Sequence, residues 1–346
     1  MSILSPAMPG IIIKSLTMFL KTSFLLLLLT ASFISWGQRT RKPASVIFDS
    51  DIGPDYDDVG AITVLHVLAD QGEARILATV ASNKYEGIAA ILNLFNTYFN
   101  RPDIPIGVPK GKAVSMRDSQ HWTDLLLAKY PHKITSNSEV PDAVDVYRKV
   151  LAEQPDHSVT IITVGFLTNL ANLLHSGPDP VSPLDGMALV KKKVKLLVSM
   201  AGAYPSGREF NIFNDAEASR FALENWPTPV ILSGFEIGAK IKTGLPLIHN
   251  AAIRNDPAKD AFAHNIPLAK EDAAGRMSWD ETTVLVGIKG YKPFFSLREG
   301  RIRIAHDGSD SWDGQAKGQF YLVQKEPPKK VERVLNKLMM QQPARR

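Results

Sequence analysis

Between residues 49 and 58 the chain reads Asp-Ser-Asp-Ile-Gly-Pro-Asp-Tyr-Asp-Asp, five carboxylates in ten residues. The apolar run Val46-Ile47-Phe48 precedes them, and an apolar-rich segment, 59–68, follows. This pattern predicts a short buried strand, a turn on Gly53-Pro54 and a helix whose first turn carries Asp57 and Asp58. Like charges packed so closely repel, so folding them together requires a cation or protonation of some of them. Oxygen donors with no Cys or His beside them suit Ca²⁺ or Mg²⁺ better than zinc or copper. Helix capping uses one or two carboxylates and does not account for five. Position adds to composition, because ligands of open α/β sheets bind where strands end.

The remainder of the chain outlines the scaffold. Short β-branched runs at 46–48, 76–81, 104–108, 159–164, 194–200 and 229–232 alternate with helical patterns at 59–68, 88–99, 143–153, 169–174 and 216–225. The alternation predicts an α/β fold: a Rossmann-like, mainly parallel sheet flanked by helices, in one domain over 44–340. Right-handed crossovers then collect 49–58, Ser82-Asn83, Gly165 and 201–211 on one edge of the sheet. A long segment, 110–140, containing His121 and Trp122, reads as a loop lying over that edge as a lid. The Pro- and Gly-rich 176–185 leads into Lys191-Lys192-Lys193, read as a solvated turn. A closing helix at 331–340 and a disordered basic tail at 341–346 complete the outline.

With 346 residues and 45% hydrophobic content, the chain can bury one large core. Its net charge of +5 gathers partly in the ends, 14–42 and 329–346. No basic stripe interleaved with aromatics lies between them, which argues against nucleic acid as a partner. Lys14 and Lys21 flank a stretch that leads into the apolar run 24–34, ending near Ser35 and Gly37. That is the pattern of an export signal over residues 1–38, too short for a comfortable membrane span, so a periplasmic or secreted protein without a stable span is expected. The chain has no cysteine, which excludes a disulfide framework and a lipidated cysteine.

Four motifs together resemble the inosine-uridine nucleoside hydrolase family. They are the aspartate cluster; Thr160-Ile161-Ile162-Thr163-Val164-Gly165-Phe166-Leu167-Thr168-Asn169; Met200-Ala201-Gly202-Ala203-Tyr204 with Glu209-Phe210-Asn211 and Asp215-Ala216-Glu217; and Ser278-Trp279-Asp280. The resemblance implies Ca²⁺-dependent hydrolysis of an N-glycosidic bond in a nucleoside or related ribosyl compound. Calcium would be ligated through Asp51, Asp58, the main-chain oxygen of Val164, and Asp280. Asp51 would also take the proton of the attacking water. Asp57 and Asn83 would bind ribose hydroxyls, Glu209 and Asn211 would lie near the 5′ end of the sugar, and Asp49 would support the cluster. Homo-oligomers are common in the family, so one is an expectation here.

The residues support this chemistry without the resemblance. Hydrolysis at an anomeric carbon passes through an oxocarbenium-like state, which needs carboxylates near the ring and a base for water. Three departures bear on substrate, one of them a segment between Tyr204 and Glu209 shorter than in typical members, which removes an asparagine that would contact the sugar. The aspartate signature is two residues longer between Gly53 and Asp57-Asp58 than in well-known members, so Asp55 competes with Asp57 for the sugar. Many purine-using members carry a histidine before the late aspartate, where this chain has Trp279; an indole can stack on a base or line the pocket but is no acid. His121 is the replacement acid weighed here, and Arg276 and Tyr204 are further pocket candidates. Two other functions compete: a non-catalytic calcium-dependent nucleoside or sugar binder, and a Mg²⁺ phosphohydrolase suggested by Asp49-Ser50-Asp51 after a strand.

Overall fold

Residues 44–50 form the first strand, and its last five residues are buried, as a central parallel strand with both faces covered requires. The computed structural model describes residues 1–2, 42–292 and 294–344. The export-signal segment, apart from its first two residues, and Arg345-Arg346 lie outside the described residues. Residues Pro43–Arg346 form one unit.

Its strands are β1 (Ala44–Ser50), β2 (Ala74–Ala81), β3 (Ile106–Gly107), β4 (Val159–Thr163), β5 (Val194–Met200), β6 (Ser206–Gly207), β7 (Val230–Ser233), β8 (Lys242–Thr243), β9 (Arg276–Met277), β10 (Phe295–Ile304), β11 (Asp310–Asp313) and β12 (Gln319–Gln324). Ten of them make one sheet in the order β3-β2-β1-β4-β5-β7-β12-β10-β11-β6, and β8 pairs with β9. From β3 to β12 the pairing is parallel; β10, β11 and β6 continue it antiparallel. The chain leaves β1 toward β2 and returns on the opposite side of β1 with β4. The strand order therefore reverses at the carboxyl ends of β1 and β4, where a crevice opens. The acidic loop and Gly165 both sit there.

Two buried helices frame that crevice. Asp57–Asp70 starts directly after the acidic loop, and Trp279–Lys289 packs along it and against β4 and β5. Their close approach depends on Gly60, where a Cβ would fall 2.2 Å from Glu281 Oε1.

The structure departs from the sequence reading in several places. The strand expected at 104–108 shrinks to Ile106–Gly107, because Ile104 closes a turn onto Arg101 and Pro105 has no N–H to donate. The three lysines 191–193 end a helix, Gly186–Lys193, where cations favourably meet the last carbonyls. Segment 110–140 is not an open lid: it contains the helix Trp122–Lys129 and a 3₁₀ turn, Asn137–Glu139, with Trp122 wholly buried. Residues 341–344 are held rather than free, since Gln71 donates to Gln341, Gln342 to Asp256, and the Ala344 N–H to Asp70.

Candidate active site

Asp51, Asp55, Asp57, Asp58, Glu209 and Asp280 line one cavity of about 260 Å³ together with Val164, Met200, Phe210, Asn211, Phe235, Arg276 and Trp279. The elements above explain the convergence. The β1 strand delivers Asp51, the first turn of the following helix delivers Asp57 and Asp58, and the first turn of Trp279–Lys289 delivers Asp280 from the other side. Val164 follows β4, the neighbouring strand. Gly165 is required by this crossing: a Cβ there would stand 2.4 Å from the Asp51 nitrogen and 2.6 Å from Asp51 Oδ1.

The carboxylates are buried against their own electrostatics. Asp51 and Asp58 are held well above the usual carboxylate range by desolvation first and by neighbouring aspartates second. Asp280 is raised in the same way, by burial and then by Asp57, Asp58, Asp55 and Asp51. Among the described residues none of Asp51, Asp58 and Asp280 has an ion-pair partner; the site's cation, Arg276, reaches Asp55 at 2.7 Å, Asp57 at 2.8 Å and Asp272 at 3.6 Å. Ser50 Oγ donates to Asp58 Oδ1 at 2.5 Å. Behind the cluster, Asp49 accepts from Tyr147 Oη (2.8 Å) and Asn169 Nδ2 (3.0 Å), and burial pushes it up to about 7.

These residues fit a hard cation in donor type: three buried carboxylates without a positive partner, a main-chain carbonyl, and no nitrogen or sulfur ligand. They do not form a finished cage, since among the described residues no three His, Asp or Glu side chains are disposed around a common cation position. The Val164 oxygen accepts Asn211 Nδ2 at 3.0 Å, so two residues expected to serve metal and sugar are here bonded to each other.

Other expected residues are placed differently. Asn83 is buried but off the cavity wall. Its amide donates to the Asp51 and Met116 oxygens and accepts the Met116 N–H, clasping the acidic loop to segment 110–121. Glu209 faces the cavity, yet its two oxygens cap the next helix by accepting the N–H groups of Asn211 and Ile212, and one also accepts that of Gly202. Trp279 lines the cavity with its ring, tilted 31° to Phe235 with centroids 5.2 Å apart, and donates its N–H to the Phe235 carbonyl at 2.8 Å. His121 is exposed and pairs with Asp124 away from the cavity. Tyr204 is buried against Tyr321 and bonds the Ala201 carbonyl. Sequence reasoning misses Phe235, Asp272 and Glu281. The first follows β7 at the same sheet edge and was findable by that rule; the other two carry no local signal. A larger groove, about 760 Å³, between the helices Thr168–His175 and Ala216–Asn225 holds none of the β1-loop carboxylates.

A family model for inosine-uridine preferring nucleoside hydrolase matches residues 46–338. The chain belongs to this family. The nucleoside hydrolase match takes in every cavity-lining residue named above. The pyrimidine-specific ribonucleoside hydrolase RihA of Citrobacter koseri is 28% identical over 206 residues, covering 56% of this chain and 61% of that protein. The chain thus spans about 61% of the length of such curated relatives. Among solved structures, the inosine-uridine preferring nucleoside hydrolase from Bacillus anthracis aligns with a TM-score of 0.65 at 14% identity, covering 86% of this chain and 99% of that one. The type III effector XopQ, in a complex with adenosine diphosphate ribose, aligns with a TM-score of 0.65 at 15% identity, covering 88% and 94%. At such identities the likeness is one of fold. Family membership removes the phosphohydrolase reading.

The buried acids predict an unusual pH response. Burial raises Asp49 from 3.8 and Glu209 from 4.5, both to about 7, so between roughly pH 4 and 7 these two groups hold protons in the folded chain that they lose in the unfolded one, while buried His66, lowered from 6.5 to about 3, offsets one of them. Stability of the cation-free protein should therefore fall as pH rises through that window. Thermal melts in chelator at pH 5.0 and 7.5 check this, and an equal or higher melting temperature at pH 7.5 would contradict it.

Proposed function

We propose that this chain hydrolyses the N-glycosidic bond of a ribonucleoside or related ribosyl compound. The observation that carries the reading is the convergence of Asp51, Asp58 and Asp280, buried and without cationic partners, beside the Val164 carbonyl at the switch point of the sheet. Asp51, Asp58, Asp280 and the Val164 oxygen would hold calcium, which when bound would lower the proton affinity of water and grip vicinal hydroxyls. Asp51 stands at the strand end as the proton acceptor. General-base help of this kind is worth about 10²–10⁴ in rate. Asp57, fixed by Arg276, faces the cavity as a sugar-hydroxyl acceptor, and the remaining carboxylates favour the positive charge that develops on the ring.

One observation favours a second reading, a calcium-dependent binder without turnover: the indole N–H of Trp279 is committed to the Phe235 carbonyl, so the side chain at this position does not protonate a departing base. The N-terminal apolar run supports export to the periplasm or medium as part of the proposal. Among the described residues no helix is long and apolar enough to cross a membrane.

The test is reducing-sugar release from purine and pyrimidine nucleosides, with calcium and after chelation. Calcium-dependent release is expected. Tight calcium binding without release from any ribosyl compound would leave the binder.

A further inference from the structure

We propose that the leaving group this cavity accommodates is a cationic heteroaromatic ring, such as a pyridinium or an N-alkylated purinium, in preference to a neutral purine or pyrimidine; this rests on the N-ribosyl hydrolase reading. Three independent features of the cavity lead there.

The first is the lack of an acid. A neutral base leaves as an anion unless it is protonated, and the lining groups that could protonate it are engaged: Asp51, Asp58 and Asp280 are the proposed calcium ligands, and Asp55 and Asp57 pair with Arg276. Trp279 Nε1 donates to the Phe235 carbonyl. Both oxygens of Glu209 accept main-chain N–H groups. Arg276 is closed by three carboxylates, and among the described residues no histidine lines the cavity. The second is charge: six lining carboxylates face one lining guanidinium, so a bound divalent ion still leaves the wall formally negative. The third is the aromatic wall. Phe235 and Phe210 are 46% and 40% exposed, and Phe235 packs beside Trp279. Aromatic faces attract a flat cation through the negative face of the ring quadrupole.

A cationic ring answers all three. When its C1′–N bond breaks, the electron pair passes to the ring nitrogen and the ring leaves neutral, needing no proton. Water oxygen forms the new bond to C1′, and the water proton goes to Asp51. The reaction balances without an acid at the leaving group, and the positive charge lost from the ring is carried through the transition state by the sugar, beside the same carboxylates.

The experiment uses the full chain with calcium and compares kcat/KM for nicotinamide riboside, 7-methylguanosine, guanosine, uridine and p-nitrophenyl riboside, whose leaving group also needs no acid. The two cationic nucleosides should exceed guanosine and uridine at least tenfold. In Phe235→Ala this advantage should shrink several-fold, with cleavage of p-nitrophenyl riboside less affected. Guanosine or uridine matching the cationic pair, with p-nitrophenyl riboside cleaved, would overturn this inference while the hydrolase reading stood. Failure to cleave p-nitrophenyl riboside and every nucleoside would overturn both.

Discussion

Asp51→Asn should lower kcat by about 10²–10⁴ and at the same time stabilise the calcium-free protein. The two effects have one source. Asp51 lies at the end of a buried strand, 5% exposed, and its charge is among those that raise Asp58 and Asp280. Asparagine keeps the shape and removes the charge, so repulsion within the cluster falls and folding without a cation becomes easier. The same change removes the proton acceptor and one proposed calcium ligand. Stabilisation by added calcium should therefore shrink in the variant, since a ligand stabilises only in proportion to its preference for the folded state. Turnover with saturating calcium and melting in chelator are the two measurements. A variant that keeps wild-type turnover would remove Asp51 from catalysis, and one that melts lower in chelator would show that the cluster is not electrostatically strained.

The central strands and the acidic loop were legible in the sequence because β-branched runs and an acidic run are local signals, and crossover handedness then orders the loops on one edge. Strand β10 was not, since Arg298, Glu299 and Arg301 interrupt its apolar pattern, and β12, whose Phe320-Tyr321-Leu322-Val323 run is a local signal, was missed with it. At the site, Asp51, Asp58 and Asp280 come together as their types suggest. Asn83 and Asn211 do not act alone: long-range bonds to Met116 and to the Val164 carbonyl engage their amides, and nothing local encodes such a bond. Arg276 is the clearest case. Its role depends on Asp55 and Asp57, more than two hundred positions earlier in the chain.

Arg276→Met should destabilise the fold by about 3–5 kcal/mol, the usual result of stripping one partner from a buried ion pair. The guanidinium is buried, with Nε and Nη2 both on Asp57 Oδ1 at 3.2 and 2.8 Å, and it lies over the rings of Tyr56 and Trp279. Without it, buried Asp57 keeps no cation and Asp272 keeps the Tyr56 hydroxyl on one oxygen, its other oxygen having no partner. The pair with Asp55 adds less, because that carboxylate is 46% exposed and water already screens it. Arg276→Lys should recover only part of the loss, since an ammonium is a point charge and cannot hold Asp57 by two nitrogens while reaching Asp272. Combining Arg276→Met with Asp57→Asn separates the lost attraction from the orphaned charge: if the orphaned Asp57 dominates, the double variant is more stable than Arg276→Met alone. Denaturant melts of the three variants give the answer. A loss under about 1 kcal/mol for Arg276→Met would mean that the cluster is relieved by protonation instead, which the burial of Asp57 also permits.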